Sequence, residues 1–305
     1  MLTIFTSPKA FIGQTRIIQE NAIHSWKRLV PECEVLLFGR DIGAIEAAKL
    51  YGCKHIDDVL CNEFGTPLIS GMFAGAEYYA HNSVLCYVNC DIMFTKSLMN
   101  AIDIVKEKKK YLLIGQRYDV DIFENWNFNC NEWDYSLTQF AKSKGVLHSY
   151  YGIDYFIFPK SQFINIPAFT VGRGGWDNWM IYHARKKMIP IIDATGVILA
   201  VHQNHNYAHC KGGKKFAYKD GPEAKKNFSI IGNMNNQMNI EDALWILEDE
   251  YIKFSIEKIG HHFDRLPIIF PWLGFPVNAA KRLLILPKFK KILKKFFKNI
   301  LDRQL

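Results

Sequence analysis

No stretch of about 18 uncharged apolar residues occurs in this 305-residue chain, so no segment is expected to span a bilayer. The start, MLTIFTSPK, has no basic region ahead of a long apolar run, so no signal peptide is expected. No two cysteines are spaced Cys-x-x-Cys. The seven present are odd in number and scattered, which points to reduced thiols and a cytoplasmic location. Cys86 and Cys90, four apart in an extended segment, read as buried apolar thiols. There is no internal repeat. Most of the chain also lacks net charge. Nine Lys or Arg against one acid lie from Val277 onward, and they account for the whole net charge of +8. The remaining 29 basic and 29 acidic residues cancel, so a nucleic-acid-binding surface on the main body loses its support.

What is present is core material: 49% of residues are apolar and 14% aromatic. LTIF (residues 2–5) is a short strand stopped by Thr6-Ser7-Pro8. Ile17, Ile18, Ala22, Trp26 and Leu29 have helical spacing, and Pro31 closes that helix. EVLLF is a second strand ending at Gly39-Arg40-Asp41. A helix over residues 42–51 stops at Gly52, and HIDDV is a weak third strand. Thr66 as N-cap and Pro67 at the first helical position open a helix running to about His81. VLCYVNCDIMF follows as the strongest strand. A helix over residues 97–108 leads to the strand YLLIGQRYDVDI, and GIDYFIFPK is a further strand. A Gly-rich turn, VGRGGW, leads into another helix. IPIIDATGVILAVHQNH holds two short strands. Residues 209–237, rich in Gly, Lys and Asn, read as a mobile loop, and Asn239 caps a last helix reaching about Tyr251. Strands alternating with helices predict an α/β fold, a Rossmann-type, mainly parallel sheet with helices on both faces.

In such sheets ligands bind at the carboxyl ends of strands. Thr6-Ser7, Asp41 and Asp91 are polar strand ends on one edge. Asp91 interrupts an apolar run, which is costly unless something pairs with it. One reading is a turn-capping Asp directed toward Thr95. The other is a ligand for a divalent cation that also holds a diphosphate.

Gly172-Arg173-Gly174-Gly175-Trp176-Asp177 combines glycines, which let backbone approach a ligand, with a flat Trp face suited to sugar rings. Asp177, at a helix start, reads as a helix cap or as a general base acting on a hydroxyl. Asp154 and Tyr155 at a strand start read equally as ligand-binding or as ordinary packing. Arg117 and Asp119 follow a strand and are candidates for phosphate or sugar contacts. Trp126 and Trp133 either line a groove or anchor a loop. Near the C-terminus, Phe289, Ile292, Leu293, Phe296, Phe297, Ile300 and Leu301 recur every three or four residues, with six lysines between and beside them. That pattern fits a helix packed on the core. It equally fits one lying on an anionic membrane surface, which the concentration of charge favours.

This order of parts resembles a GT-A glycosyltransferase over roughly residues 1–210: a polar-tipped first strand, a nucleotide-binding half, then an Asp-x-Asp-like motif, here Asn89-x-Asp91. The resemblance implies that Asp91 ligates Mn²⁺ or Mg²⁺ on the diphosphate of a nucleotide sugar. It implies a second ligand from a downstream His, either His202 or His205, with His202 preferred as nearer the strand end. It also implies that Asp177 deprotonates the acceptor hydroxyl, as in inverting members. Asn89 departs from the pattern, since it adds no charge. On this reading Thr6, Ser7, Pro8, Asp41, Asn89 and Arg117 bind the nucleotide sugar, and Asp154, Tyr155 and Trp176 bind a glycan or glycolipid acceptor. Residues 1–260 form the catalytic domain, with halves 1–115 and 116–260. Residues 261–305 form a basic amphipathic tail holding the protein peripherally on the inner face of the cell membrane. Two other classes share features: a non-catalytic carbohydrate-binding protein, and a nucleotidyltransferase, for which Thr6-Ser7-Pro8-Lys9 is a poor phosphate loop. A phosphatase with an Asp nucleophile would need Asp at position 89.

Overall fold

Strands apolar on both faces need a layer of helices on each side. A computed structural model describes residues 1–205, 212–273, 291 and 295. The chain begins with β1 (Leu2–Thr6), α1 (Gly13–Lys27), β2 (Glu34–Phe38), α2 (Ala44–Tyr51), β3 (Lys54–Ile56) and α3 (Ile69–Tyr79). It continues with β4 (Val84–Val88), β5 (Ile92–Phe94), α4 (Ser97–Val105), β6 (Leu112–Ile114), β7 (Tyr118–Val120), α5 (Trp133–Lys144), β8 (Val146–Leu147) and β9 (Tyr155–Pro159). After these come α6 (Trp176–Lys186), β10 (Ile191–Asp193), β11 (Ala200–Gln203), α7 (Gly213–Lys215), α8 (Pro222–Ile231), β12 (Trp245–Leu247), β13 (Ile252–Phe254) and α9 (Ile259–Ile269).

The large sheet has the order β13-β12-β10-β6-β9-β4-β1-β2-β3, and β9 and β13 run against the other strands. This is the mainly parallel, helix-flanked sheet expected of a GT-A-like fold. Successive residues of each central strand feed opposite layers. Val84, Cys86 and Val88 face a core with Ile23 and Trp26 of α1 and Leu98 and Ile102 of α4. Leu85 and Tyr87 face the core built on Met72 and Phe73 of α3 and Met180 and Ile181 of α6. A second sheet, β5-β11-β7-β8, closes a third core around Phe128, Trp133 and Leu137. Trp133 therefore anchors the loop before α5, and Trp126 packs beside it.

Several elements differ from the sequence reading. The Val84–Phe94 run is two strands in two sheets, and so is the run over residues 111–122. The N-cap of α3 is Leu68, not Thr66, because Pro67 and Leu68 are held extended by bridges to Cys61 and Thr170. Of the loop expected over residues 209–237, residues 209–211 lie outside the described residues, and 213–220 and 222–231 are helical. Pro222 opens α8, and its Ala224, Asn227 and Ile231 are buried at helical spacing, a pattern the Lys- and Asn-rich composition hides. Asn239 caps only a 3-10 turn (Ile240–Asp242). Trp245 and Leu247 are then buried at a spacing of two, in a hairpin with β13, where a helix was expected. Helix α9 packs back on the body: His261 and Arg265 reach Asp242 at 3.0 and 3.2 Å, and Ile269 enters the second core. Among the described residues no helix is long and apolar enough to cross a membrane. The apolar face expected over residues 289–301 lies outside the described residues, apart from Lys291 and Lys295.

Candidate active site

The site sits where the two sheets part. Strand β4 ends the large-sheet run at Val88, and β5 begins in the small sheet at Ile92, so Asn89-Cys90-Asp91 crosses between them. In the small sheet β11 lies between β5 and β7, and its register puts His202 opposite both Ile92 and Asp119. The Gln203 amide donates to the Asp91 carbonyl at 3.2 Å and fixes the join.

Sheet pairing thereby assembles Asp91, His202 and His205, whose ligand atoms all lie within 4.8 Å of one another. Asp91 Oδ2 is 3.2 Å from His205 Nε2 and 3.9 Å from His202 Nε2. Asp91 Oδ1 is buried and has no hydrogen-bond partner among the described residues. His202 Nδ1 lies 3.0 Å from Asp119 Oδ1, an ion-pair contact rather than a well-aligned hydrogen bond, which leaves Nε2 on the Asp91 side. Burial alone would raise the Asp91 pKa. The His205 hydrogen bond, His202 and Lys9 outweigh it and hold the carboxyl well below its usual range. Burial would lower His202, yet Asp119 and Asp91 raise it above its ordinary value. An ionised carboxylate with one unsatisfied buried oxygen, beside two imidazoles, fits a divalent cation.

Asp119 is a hub. Besides His202 it takes His148 Nδ1 at 2.5 Å and Arg117 Nε at 2.9 Å, and these partners overcome burial to keep it strongly acidic. Arg117 also pairs with Asp154. Asp154 in turn accepts from Asn89 Nδ2 at 2.8 Å, while Tyr87 donates its hydroxyl to Asn89 Oδ1 at 2.9 Å. Both ends of the Asn89 amide are thus engaged, with its N–H directed at Asp154.

The Gly-rich turn delivers Asp177. Gly175, in the left-handed region at φ 92°, caps α6, so Asp177 sits in the first turn and is not the cap. Arg173 pairs with Glu223 of α8 at 2.5 Å, and Gly174 approaches so closely that a Cβ there would lie 2.6 Å from the Tyr218 carbonyl oxygen. Through Lys214 and Tyr218 the 213–231 segment forms part of the roof of a cavity of about 220 Å³ whose walls include Asn89, Arg117, Asp154 and Asp177. Burial pushes the Asp177 carboxyl up to about 7, with Asp154 adding to the effect. A base tuned near neutrality suits proton transfer from a hydroxyl.

Thr6 ends β1, and Gly39 follows β2, at the same sheet edge. A Cβ on Gly39 would lie 3.5 Å from Ser7 Oγ and 3.9 Å from Asp41 Oδ2, so these two polar groups converge there, and burial raises the Asp41 pKa. Thr6 and Pro8 are buried. Of the residues expected to meet acceptor, Asp154 and Trp176 line the cavity, the latter only 4% exposed and packed on Tyr87. Tyr155 does not reach it: the ring is 0% exposed and packs edge-on against Phe94 in the core. Sequence reasoning left out His148, and it preferred His202 to His205 when both are present. His205 lies two residues past β11. The signal for His148 is only its spacing from Arg117 and Asp119, which becomes meaningful once β7 pairs with β8.

No family model and no curated protein matches the sequence. Among solved structures the chain is similar to S. aureus TarS (residues 1–349) in complex with UDP-GlcNAc, at 17% identity over 39% of this chain and 35% of that one, with a TM-score of 0.31. It is also similar to glucosyl-3-phosphoglycerate synthase from Mycobacterium tuberculosis in complex with Mn²⁺, UDP-glucose and phosphoglyceric acid, at 12% identity, over 67% and 72% of the two chains, with a TM-score of 0.41. The chain spans about a third of the TarS chains it matches. These likenesses are distant, and the chemistry rests on the residues above.

Proposed function

We propose that this chain is a metal-dependent, inverting glycosyltransferase that moves a sugar from a nucleotide-sugar donor to a hydroxyl of a glycan or lipid-linked acceptor. The observation that carries the reading is the Asp91–His202–His205 cluster at the parting of the sheets, with one carboxylate oxygen buried and unpaired among the described residues. These three side chains would hold the ion. Mg²⁺ prefers oxygen ligands and its own waters, so two imidazoles argue for Mn²⁺. When bound, the ion would supply positive charge to the departing diphosphate.

The chain's own groups do the rest. Thr6, Ser7, Pro8 and Asp41, at the ends of β1 and β2, form the nucleoside side of the edge. Asn89 and Arg117 border the donor sugar and keep Asp154 in place. Asp177, on the wall of the same cavity, accepts the proton of the attacking hydroxyl. The helical roof over the cavity keeps water from competing for the donor. A carbohydrate-binding protein would have no use for the ligand cluster. The basic, amphipathic sequence after Val277 supports a peripheral site on the cytoplasmic face of the membrane, where a lipid-linked acceptor would be met.

The deciding measurement is thermal stability with a panel of nucleoside diphosphates, with and without Mn²⁺, on wild type and Asp91→Ala. Ligand that binds only the folded state raises its melting temperature. The expected result is a rise with one nucleotide, only with metal, and lost in the variant. No rise with any nucleotide would remove the donor site and, with it, the transferase.

A further inference from the structure

Two tyrosines stand at the mouth of the Asp177 cavity. Tyr151 is 65% exposed and Tyr218 is 38% exposed, and both line the same space as the carboxylate. They come from unrelated parts of the fold. Tyr151 is on the turn between β8 and β9, where Gly152 N donates to the Ser149 carbonyl at 3.2 Å. Tyr218 is at the centre of a π-helical turn (Phe216–Asp220), a geometry that is rare and concentrates at functional sites. Both segments are tied down. The His148 amide donates to the Arg117 carbonyl at 2.8 Å, and the turn facing Tyr218 is held by the Arg173–Glu223 pair. The backbone that carries each ring is therefore fixed beside the cavity, although solvent exposure of an aromatic ring brings no stability of its own.

The aromatic surface expected for a sugar in this region was tryptophan. Trp176 lines the cavity but is only 4% exposed, and Trp133 lies in another core, so among the described residues Tyr151 and Tyr218 are the exposed aromatic rings that line the space beside Asp177. A sugar ring offers an apolar C–H face to such a surface and hydroxyls to the polar wall behind it. An aliphatic chain would want an apolar wall, and this one carries Asp154, Asp177, Arg117 and His148. Arg117 and His148 are engaged by Asp119, and Arg173 by Glu223.

We propose that Tyr151 and Tyr218 form the acceptor subsite and that its ligand is a sugar ring, so that the group receiving the transferred sugar is a glycan hydroxyl. This rests on the transferase reading for its catalytic meaning, but the binding is separable from it.

The test is saturation-transfer NMR on the full chain with methyl glycosides of glucose, galactose and N-acetylglucosamine. Wild type, Tyr151→Ala, Tyr218→Ala and the double Phe variant are compared. Nucleotide-plus-Mn²⁺ stabilisation is measured on each as a check on the rest of the site. Expected are transfer to the C–H protons of at least one glycoside in wild type, at least a tenfold weaker signal in each Ala variant, retention in the Phe variant, and unchanged nucleotide stabilisation throughout. Transfer that persists in both Ala variants, or its absence from wild type with every glycoside, overturns the subsite. If the tyrosine-dependent signal is present but no nucleotide stabilises the wild type, the subsite stands and the transferase reading falls.

Discussion

His202 stands between two carboxylates: its Nδ1 is 3.0 Å from Asp119 Oδ1 and its Nε2 is 3.9 Å from Asp91 Oδ2. A carboxylate behind a metal-binding imidazole fixes the ring and raises its basicity, and losing one typically costs about 10–100-fold in affinity. Asp119→Asn is therefore expected to weaken Mn²⁺ binding by about that factor in a calorimetric titration while leaving Asp91, His202 and His205 in place. Because His202 must be neutral to bind, and its pKa is raised, affinity should fall as pH drops through that raised value. Unchanged Mn²⁺ affinity in Asp119→Asn would show that Asp119 serves the fold and not the ligand cluster.

Asp177 links activity to instability. Its folded carboxyl titrates at about 7, against 3.8 for the ordinary group, so the folded state holds the proton more tightly than the unfolded chain. Stability then falls as pH rises between those values, and the full cost is present above about 7. Asp177→Asn should raise the melting temperature at about pH 8 and change it little near pH 4. The same substitution should lower transfer roughly 10²–10⁴-fold, since the proton acceptor is gone, and the wild-type rate should climb with pH through about 7. A variant no more stable at the higher pH would mean that Asp177 ionises without penalty.

How much of this was legible beforehand follows from how local each signal was. Asp91 and Asp177 stood out because a carboxylate inside an apolar run, or after Gly-Gly-Trp, is conspicuous within a few residues. The large sheet was legible because β1, β2, β4 and β9 are short apolar runs buried on both faces. The hub at Asp119 was not, since Asp119 meets His148 and Arg117 meets Asp154 across separations of 29 and 37 residues, set by strand pairing. Tyr155 was misplaced for a related reason. Strand alternation sends it to the inner face with Ile157, away from the cavity that its neighbour Asp154 lines. The roof over residues 213–231 was read as a loop because its five lysines outnumber the few residues that pack.

That roof is pinned by Asn227, which accepts from the Thr170 amide at 2.8 Å and donates to its carbonyl at 3.1 Å, and by an ion pair. Arg173 and Glu223 are 18% and 12% exposed, and Glu223 also accepts from Asn62 Nδ2 at 2.7 Å. Arg173→Leu leaves a partly buried carboxylate without its cation, at a cost of about 1–3 kcal/mol. Local opening scales with that cost, about tenfold for each 1.4 kcal/mol. Amide exchange in residues 213–231 is expected to quicken accordingly, with β1 and β4 unaffected. Equal protection in the two proteins would mean that Asn227 and the apolar contacts of Ala224 and Ile231 hold the roof without the ion pair.

Gly175 offers a sharper perturbation of the same corner. Its φ of 92° disfavours any side chain, and a Cβ there would sit 2.6 Å from Ile231 Cδ1 and 3.1 Å from Phe228 Cε1. The methyl tip of Ile231 can rotate away, so backbone strain dominates, on the order of 1–3 kcal/mol. Gly175→Ala should therefore lower the melting temperature and, because Asp177 rides on this turn, reduce transfer by more than the stability loss explains. Full activity in a folded Gly175→Ala protein would show that the turn tolerates movement without displacing the base.

Asn89 gives the most counterintuitive expectation. Restoring the charge that an Asp-x-Asp motif would carry should harm this protein. Asn89 Nδ2 donates to Asp154 Oδ1 at 2.8 Å, and a carboxylate in place of the amide would put an acceptor where that donor stands. Two carboxylates in contact cannot both ionise cheaply, so one would keep a proton or the pair would part. Asn89→Asp is expected to lose about 1–3 kcal/mol near neutral pH, with the deficit shrinking toward pH 4 as the pair protonates. Mn²⁺ affinity should not rise, because the side chain of Asn89 is engaged by Tyr87 and Asp154 and not by the ligand cluster. Tighter Mn²⁺ binding at undiminished stability would mean that position 89 is free to turn toward the metal, and that Asn is there for the donor sugar and not for Asp154.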